Sequence, residues 1–135
     1  MKRIVQITSE ETLSIRHKVM WPNKPIDYVQ LPNDAEGRHF GYFKNDELIS
    51  VISLFVENNE AQFRKFATLK EYQGKGFGSE LLNELMLISE KEQLSKIWCN
   101  ARINKIDYYS KFGMIETNDQ FIKGEIGYVI MERIF

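Results

Sequence analysis

Cysteine is almost missing from this chain. Cys99 stands alone among 135 residues, so no internal disulfide can form, and the sequence is expected to belong to a reducing cytoplasm. Proline is equally sparse. All three prolines fall at Pro22, Pro25 and Pro32, which marks Pro22–Gly37 as an irregular or partly helical excursion and leaves the rest open to regular structure. Long apolar runs are absent as well. Leu48–Val56 and Leu85–Ile88 fall far short of the ~20 residues that cross a bilayer, so no membrane role is expected. The start, Met1-Lys2-Arg3-Ile4, turns polar at Gln6 and is not patterned as a signal peptide. There is no excess of one charge. Eighteen basic and nineteen acidic residues leave a net −1, which argues against coating nucleic acid. No His, Cys and carboxylate group has metal-ligand spacing, so no metal is expected. No repeat, linker or low-complexity stretch breaks the chain, and residues 1–135 are read as one domain able to bury a core.

Periodicity then orders the elements. Ile4, Val5 and Ile7 form a first strand. Thr8 or Ser9 caps a helix with Glu10 and Glu11 in its first turn; Leu13, Ile15, Val19 and Met20 form its apolar side and Pro22 stops it. His39–Lys44 and Leu48–Val56 read as a hairpin across Asn45-Asp46. After a second turn at Asn58-Asn59, Ala61–Leu69 alternates as a strand. Phe77, Leu81, Leu85 and Ile88, joined by Leu82 and Met86, mark a strong amphipathic helix with Glu80, Asn83, Glu84 and Lys91 facing away. Ile97–Ala101 is a strand. Ile106, Tyr109 and Phe112 mark a short helix ending at Gly113. Tyr128–Ile134 is the last strand. The order is β-α-β-β-β-α-β-α-β, a mixed α/β domain.

The segment Gln73-Gly74-Lys75-Gly76-Phe77-Gly78-Ser79 carries the chemistry. Three glycines alternate where a strand hands over to an amphipathic helix. Glycine permits positive φ and close backbone approach. The first N–H groups of a helix lack intrahelical partners and sit at the positive end of its dipole. The combination suits phosphate or pyrophosphate, with Lys75 adding charge. Two nucleotide motifs fail here. Lys75 is followed by Gly76 and not by the Ser or Thr of a P-loop, and Ser79 stands where a dinucleotide fingerprint needs its third glycine.

Gln73–Gly78 also matches the Gln/Arg-x-x-Gly-x-Gly/Ala signature of the GNAT N-acetyltransferase superfamily. Asp107-Tyr108-Tyr109-Ser110-Lys111-Phe112-Gly113-Met114 resembles its Phe-Tyr-x-Lys-x-Gly-Phe segment, with Met114 in place of the usual Phe and Lys105 in place of a common Ala. The likeness runs from about Gly41 onward. It implies an α/β (α+β) fold with a mixed, twisted sheet whose central strands splay apart and are flanked by helices. The strand Ala61–Leu69 would part from Ile97–Ala101. Acetyl-coenzyme A would lie there, its pantetheine arm bonded to the backbone of Phe66, Ala67 and Thr68. Its pyrophosphate would rest on the amides of Gln73, Gly74, Lys75, Gly76, Phe77, Gly78 and Ser79.

The reaction implied is transfer of acetyl to a primary amine of a small molecule or peptide. A strand N–H near Phe66 would serve the carbonyl oxygen. The resemblance puts Tyr109 at the frequent position of the general acid, and a phenol stays protonated at neutral pH. Tyr108 is read as packing. Asn104 is read as a helix cap or as a contact to pantetheine, and Arg102 as a phosphate contact or solvated. The general base is unassigned: Glu57 is read as an acceptor contact or a group acting through water, His39 as structural, and Arg64 as facing the acceptor cleft. Cys99 reads as a small buried hydrophobe. In the family the region corresponding to Trp21–Gly37, with its Tyr28 and Asp34, helps to shape the acceptor site; a plain surface loop is the other reading. A homodimer touching through the final strand is expected by analogy. The alternatives are a non-catalytic acyl-CoA-binding or sensing module, and a nucleotide-binding regulator.

Overall fold

A computed structural model describes residues 1–135 throughout. Strands β1 (Lys2–Ile7), β2 (Arg38–Lys44), β3 (Glu47–Glu57), β4 (Glu60–Thr68), β5 (Lys96–Arg102), β6 (Ile115–Lys123) and β7 (Ile126–Ile134) form one mixed sheet in the order β1-β2-β3-β4-β5-β7-β6. Helices α1 (Ser9–Met20), α2 (Phe77–Lys91) and α3 (Ile106–Ser110) flank it. The chain divides into two compact units: Met1–Phe55 with Arg64–Leu85, and Val56–Phe63 with Met86–Phe135.

In the first unit β1, β2 and β3 form an antiparallel meander. The β2–β3 turn places Asn45 and Asp46 at φ of 50° and 69°, the left-handed pair that matches strand twist and that Asn and Asp tolerate best. Asn58 and Asn59, at 54° and 63°, repeat the device after β3. Helix α1 opens with a capping box. Thr8 Oγ1 accepts from the Glu11 N–H at 3.3 Å, and the Glu11 carboxylate accepts from the Thr8 N–H at 2.9 Å. Ile15 of α1 packs with Val51 and Ala67, ringed by Ile7, Val19, Met20, Leu48 and Leu69.

The buried face of α1 also carries a charge. Arg16 is fully buried. Its Nη1 donates to Asp34 Oδ2 at 2.9 Å and to the Val29 carbonyl at 3.1 Å. Its Nη2 donates to Asp34 Oδ1 at 3.0 Å and to Ser53 Oγ at 2.9 Å. Asp34 also accepts from the Leu31 N–H, at 2.9 Å. His39 completes the cluster, with Nδ1 2.6 Å from Ser53 Oγ and Nε2–H donating to the Asp34 carbonyl at 2.9 Å. The proline-bearing excursion is therefore tied down by side chains. It contains two short 3₁₀ turns, Ile26–Val29 and Asp34–Glu36. Burial raises the Asp34 carboxyl, but the Arg16 fork and the Leu31 amide outweigh it and hold the group below its ordinary value. A carboxyl lowered in this way stabilises the fold at neutral pH, and that stabilisation is lost as pH falls through its folded pKa.

In the second unit β5 and β7 pair antiparallel from Lys96↔Ile134 to Arg102↔Tyr128. Ile97, Cys99, Ala101, Val129 and Met131 are buried, as are Phe112 and Met114. Glu60–Gln62 of β4 run parallel to Lys96–Trp98. Lys96 pairs with Glu132 at 3.1 Å and lies 3.9 Å from Glu60. Gly113, at φ 81°, ends the α3 segment as its sequence implies.

Three expectations change. The chain has a strand, β6, that the apolar pattern did not announce; nearly every residue in it is exposed or half-exposed. The last strand is not a sheet edge, because β7 lies between β5 and β6. Glu80 does not simply face water. It accepts from the buried Tyr42 hydroxyl at 2.8 Å and pairs with Lys2 at 2.6 Å. Burial, reinforced by Glu80, pushes the Tyr42 phenol up to about 12.

Arg16→Met strands Asp34 without its cation and is expected to destabilise the protein by about 3–5 kcal/mol in urea unfolding. Replacing both partners, Arg16→Met with Asp34→Leu, is expected to recover most of that loss. Equal destabilisation by the single and the double change would show that the ion pair is not what secures this segment.

Candidate functional site

The glycine turn lies wholly in the first unit, and its geometry follows from β4. That strand is not regular. Lys65 takes φ 54°, a left-handed conformation that costs a non-glycine residue about 1–2 kcal/mol. The kink comes three residues after the last β4–β5 pair, Gln62↔Trp98. It re-aims Phe66, Ala67 and Thr68, as bulges beside functional sites do.

Thr68 then acts as the joint. Its Oγ1 lies 2.8 Å from Ser50 Oγ, and its carbonyl accepts from Gln73 Nε2 at 2.9 Å. Ser50 Oγ also donates to the Ala67 carbonyl at 3.1 Å. Each of these carbonyls keeps a second lone pair. Gly78 packs straight onto this joint. A Cβ there would lie 3.0 Å from Thr68 Oγ1 and 3.3 Å from the Phe66 ring. The structure thus brings Phe66, Thr68, Gln73 and Gly78 together. Gly78 is glycine because helix and strand touch there.

Gly74 and Gly76 answer a different demand. Their φ angles are 75° and 88°, and no atom lies within 4 Å of where either Cβ would stand. Left-handed backbone and open space coincide at both, so the turn presents bare main chain. Lys75 between them is exposed. The first backbone bond into α2 runs from the Glu80 N–H to the Gly76 carbonyl at 3.0 Å. Phe77, Gly78 and Ser79 therefore make up the first turn of α2, at the positive end of its dipole. Bare main chain and the positive helix end meet at an open surface, the arrangement that accepts a phosphate.

Tyr109 lies in the second unit, on α3. Its ring centroid is 5.7 Å from Phe63 and 5.3 Å from Tyr108. Its carbonyl accepts from the Phe112 N–H at 3.0 Å. Burial drives its phenol well above the ordinary range, and Cys99 and Tyr108 add to this. The Arg102 charge acts in the opposite direction. The hydroxyl is therefore a proton carrier throughout the physiological range. Tyr108 packs against Tyr109 and Phe112, as its reading implies. Cys99 is buried, and burial pushes its thiol up to about 12, so it stays an inert hydrophobe.

Other candidates are redistributed. Asn104 is exposed and is not the cap of α3. Lys105 takes that position, with no side-chain capping bond, because a 3₁₀ turn over Ile103–Lys105 shifts the helix start. His39 has both ring nitrogens engaged inside the first unit and is structural. Asp34 belongs to the Arg16 pair. Glu57 is exposed at the end of β3, and Arg64 is half-buried in β4. Trp21 and Tyr28 meet edge-on at 5.3 Å, with Tyr28 about half exposed.

The sequence matches the profile described as "Acetyltransferase (GNAT) family" over residues 2–114. The chain belongs to the GNAT acetyltransferase family. It is an acyltransferase of that family. It is 31% identical, over 97% of its length and 95% of the relative's, to a Bacillus subtilis N-acetyltransferase, YitI, that is itself uncharacterized. Its fold is shared with a candidate N-acetyltransferase of Lactobacillus plantarum at TM-score 0.87 and 17% identity, covering 98% of this chain and 97% of the other. An Elizabethkingia anophelis GNAT acetyltransferase, solved with acetyl-CoA bound, aligns at TM-score 0.78 and 14% identity, covering 99% and 98%.

Proposed function

We propose that this GNAT chain, acting as one domain over residues 1–135, transfers acetyl from acetyl-coenzyme A to a primary amine of a small molecule or peptide. The observation that carries the reading is the pair Gly74 and Gly76, left-handed and open beside the first turn of α2. The residues fit the donor: an unobstructed main-chain turn suits a pyrophosphate, and Lys75 adds a cation at its rim. Acetyl-coenzyme A supplies an activated thioester. The β4 backbone at Phe66–Thr68 aligns the pantetheine arm as an added strand would.

The chain's own groups then have three tasks. An amide of β4 near Phe66 donates to the carbonyl oxygen as negative charge grows there. The neutral amine forms the new C–N bond as the C–S bond breaks. The amine nitrogen gives up one proton to water, the departing sulfur gains one from the Tyr109 hydroxyl, and solvent returns a proton to the phenolate. Burial keeps this phenol protonated, so the proton is in place when the sulfur departs. Trp21–Gly37, fastened by Arg16, serves as a wall of the acceptor site. The single buried thiol suits the cytoplasm.

Tyr109→Phe is expected to lower kcat by about 10²–10⁴-fold with little change in coenzyme A affinity, the range of general acid catalysis. Wild-type turnover in this variant would assign the proton to another group. Gly76→Val is expected to leave a folded protein that no longer binds coenzyme A by calorimetry. Unchanged affinity would remove the phosphate cradle. Coenzyme A binding without turnover on any amine would favour a sensing module.

A further inference from the structure

Strands β5 and β7 of the second unit have one buried and one partly exposed face. Ile97, Cys99, Ala101, Val129 and Met131 turn to the buried side. Alternation puts Trp98, Asn100 and Arg102 of β5, and Tyr128, Ile130 and Glu132 of β7, on the other side. On that side a row of three residues runs across the strands. Arg102 stands opposite Tyr128 in the β5–β7 register, and Tyr128 stands opposite Phe121 in the β6–β7 register. The Tyr128 and Phe121 rings are stacked, 5.2 Å between centroids at 14°. Arg102 and Phe121 are exposed, and Tyr128 is half-exposed.

The chemistry of the row is specific. Lys96 and Arg133 of this unit are paired, with Glu132 and Glu90; Arg102 has no carboxylate partner. Arg102 ends β5, and the 3₁₀ turn Ile103–Lys105 leads from it directly into α3, the helix that carries Tyr109. A forked cation suits a carboxylate bidentately, and a stacked aromatic pair offers a face or edge to another ring. The neighbouring positions Trp98 and Ile130 extend the apolar ground. A polycationic amine would meet Arg102 with like charge.

We propose that Arg102, Tyr128 and Phe121 form an acceptor subsite for an amine that carries both an anionic group and an aromatic ring, the pattern of an aromatic amino acid. Arg102 pairs with the anion, and the Tyr128–Phe121 stack receives the ring. This rests on the acetyltransferase reading for its chemistry, but the subsite lies wholly within the second unit and can be tested by binding alone.

The experiment titrates two amides, N-acetylphenylalanine and N-acetylphenethylamine, into the full chain by calorimetry, with and without coenzyme A. The carboxylated amide is expected to bind at least ten-fold tighter. Arg102→Met should erase that difference, and Phe121→Ala should weaken both amides. Equal binding of the two amides by the wild type, or a preference that survives Arg102→Met, would overturn the proposal. A carboxylate preference in a protein that binds no coenzyme A would uphold the subsite while sinking the acetyltransferase reading. Turnover gives the parallel check: kcat/KM for phenylalanine should exceed that for spermidine, and the reverse order would contradict the subsite.

Discussion

The contact of Gly78 with Thr68 fixes where α2 begins, and the candidate site follows from it. With 3.0 Å between a notional Cβ and Thr68 Oγ1, a larger residue would make the Thr68 and Phe66 side chains give way where the helix starts against β4. Thr68 is itself held on two sides, by Ser50 and by Gln73. Between this joint and the helix, only a few residues can reverse the chain. Gly74 and Gly76 do so through left-handed conformations that leave open space beside them. The anion-seeking turn is thus a by-product of tight strand–helix packing, with glycine used for contact at one end and for conformation and access in the middle.

Two other features put strain or charge where it is costly, and both border the regions given functional roles. Lys65 holds a left-handed conformation just before the segment read as the donor's strand-like partner. Arg16 is buried with its Nε unpartnered, yet its fork secures the excursion read as the acceptor wall. A buried ion pair is weak evidence for stability in itself, since apolar residues of the same size would serve as well or better. Its use here is to order a proline-bearing stretch that has little regular structure of its own.

Much of this was legible beforehand. Asn45-Asp46 and Asn58-Asn59 announced their turns because Asn and Asp are the non-glycine residues most at home at positive φ. The α2 helix was plain from its spacing, and the Gly74–Gly78 alternation from its position after a strand. Illegible features share a cause: their reasons are tertiary. Strand β6 buries almost nothing, so no alternation betrays it. Arg16 sits on the apolar stripe of α1, where its partners, Val29, Asp34 and Ser53, are up to 37 residues away. Lys65 has no local preference for its conformation. Asn104 looked like a cap because the preceding 3₁₀ turn, which displaces the helix start, leaves no mark in composition.

The central claim is that the backbone from Gln73 to Ser79 grips the phosphates of the acyl donor. Amide hydrogen exchange of the intact chain, with and without coenzyme A, addresses it residue by residue. The account predicts slowed exchange concentrated at Gly74–Ser79 when coenzyme A is present. Binding of coenzyme A with exchange at those amides unchanged, and protection appearing elsewhere, would contradict it.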